Sequence, residues 1–280
     1  MGELFIGGKR PEDIIRKQLE DLAKQQPNLP PPTVKTPAPI PPIPPLPAGA
    51  GFYIQDLPDR YVLNNLMYTG ELWTVGWGKN LLDNGQAHTQ DQWVDLTKTA
   101  EFKLACGPLY LATIFALYDH KDIPDTSQNT LVNRMKKMFK DDFDPSKPWK
   151  MTSTRISYAP QTPVALVNPD RVEHNFGYSN QFGTFCDLVG PSECLKSGHE
   201  RTIDGLLMTQ DLPKLEAAAQ WLTGKRTYLW RLSSRPQSET QRVLVLGCVD
   251  GDGFSIGANG SIGGNRPARG VVAVRAKNPT

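Results

Sequence analysis

The order of elements along the chain predicts an α+β fold. Helix-spaced apolar runs come mainly before residue 143, and short strand-like runs crowd the C-terminal third. The two do not alternate as a parallel α/β sheet would require. No internal repeat is present, and 280 residues suffice for one large domain or two small ones with a sizeable core.

The elements follow in order. Residues 11–26 read as a helix: Pro11 fits the first helical position, Glu12 and Asp13 suit its positive end, and Ile15, Leu19 and Leu22 make a thin apolar stripe. So short a stripe needs a partner surface. Residues 27–47 hold eleven prolines, which exclude helix and inner strand. An extended arm is expected there, at ~3.1 Å per residue. It serves either as a spacer or as a tail packed on a surface, the latter favoured by Val34, Ile40, Ile43 and Leu46. The three expected parts are therefore a helical anchor over 1–26, a proline-rich arm over 27–50 and a globular body over 51–280.

Within the body, residues 70–77 read as a strand with two tryptophans. Helices are expected over 108–118, with Leu111, Ile114, Phe115 and Tyr118 on one face, and over 127–143, with Leu131, Met135, Met138 and Phe139 at core spacing. A third helix is capped by Asp211 and ended by Gly224, with Leu215, Ala219 and Leu222 facing inward. Strands are expected over 152–158, 228–232, 242–249 and 270–275. Between the last two lies a glycine-, serine- and asparagine-rich stretch, expected as a connecting loop.

Composition narrows the function. A net charge of +2 with 21% charged residues gives no strong field toward nucleic acid or membrane. No apolar run reaches the length of a membrane span, and the first residues lack a secretory signal core. Cys106, Cys186, Cys194 and Cys248 form no Cys-x-x-Cys pair and are expected as buried thiols in a reducing compartment.

Catalytic and metal signatures are weak. His88, His120, His174 and His199 are scattered without ligand spacing. Asp250-Gly251-Asp252-Gly253 begins like a calcium loop, but Phe254 and Ser255 break the pattern. The later glycines have no phosphate-loop context, and no Gly-x-Ser-x-Gly elbow occurs.

The C-terminal motifs follow one order: Thr227-Tyr-Leu-Trp230-Arg-Leu, Arg235-Pro236, Gln241-Arg242-Val243, Asp250-Gly-Asp-Gly-Phe254, Pro267-Ala-Arg-Gly270-Val and Val274-Arg275-Ala-Lys277. Met151-Thr-Ser-Thr-Arg155-Ile-Ser-Tyr158 stands upstream. This order resembles the variable proteins of diversity-generating retroelements. More distantly it is similar to the phage major tropism determinant and the formylglycine-generating-enzyme type of C-type-lectin fold. The resemblance spans roughly residues 100–280.

The resemblance implies a C-type-lectin-like domain whose C-terminal strands and loops form a ligand-binding face. Carried onto this chain, that face runs from Asp250 to Arg266, with Asp250, Asp252, Phe254, Ser255, Asn259, Ser261, Asn265 and Arg266 as exposed contact residues. Trp230, Arg242 and Arg269 are implied scaffold residues. The enzyme branch of the fold needs a reactive cysteine pair near the C-terminus, where only Cys248 stands. The stretch is also poor in tyrosine and tryptophan, so a gripping loop and a fixed structural one both stay open.

The implied protein is a non-enzymatic adhesin or fibre component at a virion surface, made in a host cytoplasm without cofactor or metal. Its partners would be a host receptor or glycan, other virion proteins through residues 1–50, and further copies of itself, with no nucleic acid and no membrane insertion. The alternative is a structural virion protein, a capsid decoration or fibre-linking component.

Overall fold

The computed structural model describes residues 51–161, 170–179, 181–249 and 253–275. The helix expected over 11–26 and the proline-rich arm lie outside these residues. The described residues all fall in one unit, Pro47–Thr280.

The strands in chain order are β1 Tyr53–Asp56, β2 Arg60–Tyr68, β3 Glu71–Leu81, β4 Lys103–Leu104, β5 Lys150–Tyr158, β6 Asp170–His174, β7 Phe182–Cys186, β8 Glu193–Cys194, β9 Thr227–Trp230, β10 Thr240–Val249, β11 Gly253–Ser261 and β12 Arg269–Arg275. The helices are α1 Gln90–Thr97, α2 Gly107–Asp119, α3 Thr126–Asp142, α4 Glu200–Leu207 and α5 Leu212–Thr223. Among the described residues the strands make two sheets, and the fold is α+β. One sheet has the order β1-β2-β3-β12-β4, and the other β7-β6-β5-β10-β11-β9-β8. Every neighbouring pair is antiparallel except β11 with β9.

Local chemistry explains the helix ends. Thr89 and Gln92 form a reciprocal capping box before α1. The Asp125 carboxylate accepts from Ser127 N and Gln128 N, and that of Asp211 from Lys214 N, in each case satisfying amide donors the helix leaves unpaired. Gly224 ends α5 in left-handed backbone at φ 76°.

The larger core lies between the sheets. Helix α2 is buried along most of its length, and its first residue sits so close to β10 that a Cβ on Gly107 would stand 2.2 Å from Leu244 Cδ2. Trp77 of β3 packs against Tyr110 and Phe139, with ring centroids 4.7 and 5.2 Å apart, and donates its indole N–H to Thr113 Oγ1 at 3.0 Å. The wide indole therefore sheds its area into the core without orphaning its donor. A smaller core covers the opposite face of β5 and β10, where Trp93 and Val94 of α1 meet Met151, Val243 and Val245. Strand β5 is consequently buried at every position but Ser157.

The expected helices over 108–118, 127–143 and 212–224 and the expected strands over 70–77, 152–158, 228–232, 242–249 and 270–275 are present with end shifts of a few residues. In α3 the buried apolar residues are Val132, Met135 and Phe139, with Leu131 and Met138 only partly buried. The expected loop after residue 249 is corrected: residues 253–261 form strand β11, inside the seven-stranded sheet between β10 and β9. Glycine there reflects crowding. A Cβ on Gly253 would meet Arg226 O at 2.0 Å, and one on Gly260 would meet Val243 O at 2.7 Å. Cys106 and Cys248 are buried, Cys186 and Cys194 are half-buried, and none is in a disulfide among the described residues.

Candidate functional site

The structure disperses the six expected contact residues that it describes. Asp250 and Asp252 lie outside the described residues. Phe254 is 2% exposed and meets Phe143 edge-to-face in the main core, and Ser255 is fully buried, so neither is an exposed contact residue. The parallel partner β9 and the antiparallel partner β10 flank both positions and remove them from solvent. Asn259 and Arg266 are half-buried, while Ser261 and Asn265 are exposed. Arg266 contributes through its main chain: it exchanges two hydrogen bonds with His88, and its carbonyl accepts the Trp93 indole N–H at 2.8 Å.

Two of the three implied scaffold residues have clear structural partners. Arg269 is 4% exposed and donates to Asp142, Gly78 O and Lys79 O. Trp230 is half-buried and donates to Ser255 Oγ at 3.4 Å. Arg242 is half-buried, with Nη1 donating to the carbonyl of Gln241.

What the C-terminal strands do assemble is an aromatic surface. In β9, Leu229 points into the main core, so its neighbours Tyr228 and Trp230 point to the opposite face. Their partners on β11 are Ser255 and Gly257, and those in turn stand beside Gly247 and Val245 of β10. Trp149, which leads into β5, lies over the two glycines. A Cβ on Gly247 would sit 2.6 Å from Trp149 Cγ, and one on Gly257 would sit 2.5 Å from Trp149 Cζ3. The Trp149 and Trp230 rings are 6.3 Å apart at 63°, and Tyr228 and Trp230 are 4.9 Å apart at 47°. Tyr228 OH donates to Ser192 O at 2.9 Å, fixing its ring.

All three rings are half-buried, so each keeps an open part while its body is held by strands. Beyond Gly257 the register jumps from Val245↔Gly257 to Val243↔Gly260, placing Ala258 and Asn259 together opposite Leu244. Such a bulge re-aims side chains at a surface. Asn259 and Ser261 thus continue the same stretch of β11 that carries Gly257.

Sequence reasoning did not select Trp149. Its signal was present but diffuse: an isolated tryptophan just ahead of a strand, and glycines at matching positions of two others. The sequence places Tyr228 only in a motif and an expected strand, and Trp230 only as an implied scaffold residue.

Among the described residues no group of three or more His, Cys, Asp and Glu side chains stands where it could hold a metal ion. Cys248 points into the main core at 2% exposure, which keeps its thiol from an external substrate. No family model matches the chain, and neither does any curated protein or solved structure.

Proposed function

We propose that the chain is a non-enzymatic binding protein with a C-type-lectin-like domain, displayed on a phage or virus particle, that recognises a host receptor or glycan through the outer face of its C-terminal strands. The observation that carries this reading is the Tyr228–Trp230–Trp149 surface, in which Trp149 is seated on Gly247 and Gly257. Tyrosine and tryptophan supply large contact area at low entropic cost, and rings held by a sheet are already organised for binding. The C–H faces of a sugar ring stack on such surfaces, while Asn259 and Ser261 offer hydrogen bonds at the margin. The expected site thus moves from a loop at 250–266 to a sheet face that shares only part of that segment.

The test is binding of the full chain, coupled to beads at high valency, to host cells and to a glycan array. Trp149→Ala and Trp230→Ala should each weaken binding by roughly tenfold or more, as for buried aromatic anchors, with the melting temperature confirming that each variant is folded. Absence of binding by the unaltered chain refutes the reading.

One observation favours the structural alternative, a capsid decoration or fibre-linking component. Met67, Leu72 and Val274 are 60%, 43% and 50% exposed. Met67 pairs with Leu72 across β2 and β3, and Val274 pairs with Thr74 two residues farther along β3. Adjacent exposed apolar residues suit protein–protein contact. Under this alternative, Leu72→Ser with Val274→Ser blocks incorporation into particles and Trp230→Ala does not.

A further inference from the structure

A second site lies away from the aromatic face. A cavity of about 510 Å³ opens between the β2–β3 turn, the end of α4 and the segment after β6. A second of about 540 Å³ adjoins it, and the two share Tyr68, Thr69 and Met208. Both volumes fall within the roughly 300–1,000 Å³ of small-molecule sites.

The backbone at its rim is unusual. Six non-glycine residues have positive φ among the described residues, and three of them line the first cavity: Thr69 at 52°, Asn175 at 51° and Met208 at 58°. Asparagine tolerates this region, but a β-branched threonine or a methionine there is strained. Thr69 and Gly70 form the two-residue turn between the paired Tyr68 and Glu71, where Asn-Gly is the favoured pair. Met208 follows the last turn of α4, where glycine is favoured. At both positions a costlier residue places its side chain in the cavity wall. Strain retained at a concave surface points to function.

The lining defines a ligand class. Tyr68, Trp73, Tyr178 and Phe182 give it ring surfaces, and the buried indole N–H of Trp73 has no hydrogen-bond partner. Lys103 and Arg275 line the same cavity against one carboxylate, Glu71, which pairs with Arg275. Lys103 Nζ spends two of its three donors on Thr97 O and Lys98 O, which holds it in place with one to offer. The lining therefore combines flat apolar walls, an orphan donor and one positive charge in excess.

We propose that this cavity binds a small aromatic carboxylate, its ring among Tyr68, Trp73 and Phe182 and its carboxylate toward Lys103, with Met208 as the wall shared with the adjoining cavity. This proposal stands independently of the aromatic face.

The test uses the full chain and two probes, indole-3-acetate and its neutral analogue indole-3-acetamide, titrated calorimetrically. Indole-3-acetate should bind saturably at one site, and the amide roughly tenfold more weakly, as for loss of one charge-assisted hydrogen bond. Lys103→Gln should abolish the preference for the acid. Met208→Gly should raise the melting temperature of the unliganded chain yet weaken indole-3-acetate, and Trp73→Phe should also weaken it. Trp149→Ala and Trp230→Ala should leave it unchanged. No saturable binding by the unaltered chain, binding unaffected by Met208→Gly and Trp73→Phe, or binding lost in Trp149→Ala would each overturn the proposal.

Discussion

The indole of Trp149 rests on the backbone of Gly257 so closely that a methyl group there would stand 2.5 Å from its ring and 2.8 Å from Val245 Cγ2. Glycine at 257 is thus the seat of an aromatic ring. Gly257→Ala must push the indole away or distort β11, and overpacking of this kind costs about 1–3 kcal/mol. Gly263 is the control: only Ser261 Oγ comes within reach of a Cβ there, at 4.0 Å. Urea unfolding should show Gly257→Ala clearly destabilised and Gly263→Ala close to the unaltered chain. Equal effects at the two positions would refute the role given to Trp149.

That contact also explains what the sequence could and could not disclose. Helices α2, α3 and α5 were legible because their signals are local: Pro108, the Asp211 cap, Gly224 and apolar residues at helical spacing. Strand β11 was not, because its glycines, alanine and serines lack strand propensity, and tertiary neighbours alone make them strand residues. The Thr89–Gln92 capping box was a readable signal for α1 that went unread. Strands β4 and β8 have two residues each, too few for any periodicity. Helix α4 hid its end because Met208 stands where glycine would have announced it. For the candidate site, the resemblance singled out Ser261 and Asn265, and both are exposed. The aromatic partners lie on separate strands, and spacing cannot join them.

A second prediction concerns Arg269 and Asp142, which join β12 to the end of α3. Arg269 Nη2 donates to Asp142 Oδ1 at 2.8 Å and Nε donates to the other oxygen, with both side chains 5% exposed. The same guanidinium reaches the carbonyls of Gly78 and Lys79. Nearby, Lys150 Nζ donates to the Asp142 carbonyl at 2.8 Å, and burial holds its pKa below the ordinary lysine value. Asp142→Ala would leave two cations buried without their carboxylate, which costs about 3–5 kcal/mol. Arg269→Lys should also destabilise, because an ammonium cannot span the forked carboxylate and two carbonyls at once. Thermal unfolding of both variants checks this. A shift in Asp142→Ala no larger than that of a surface substitution such as Lys137→Ala would sink it.

The last prediction concerns pH. His174 of β6 is fully buried, its ring centroid 5.0 Å from that of Phe182. Its Nδ1 lies 3.1 Å from Thr154 Oγ1, which already accepts from Gly107 N and so can give its own hydrogen to the ring. Nε2 has no well-formed hydrogen bond, although the Gly205 main chain stands near enough to favour the charged ring slightly. Burial dominates and pushes the pKa down from 6.5 to about 4. The folded protein therefore holds this histidine neutral where the unfolded chain takes up a proton. The stability it contributes is fully present above pH 6.5 and is lost as the pH falls toward about 4. The loss amounts to about 3 kcal/mol over that window. Urea unfolding at several pH values between these limits should show the unaltered chain weakening steadily on acidification. In His174→Asn the slope should be shallower, so that the total loss over the window is smaller by this amount, whatever the variant's stability at neutral pH. Parallel slopes would show that another group governs the acid response.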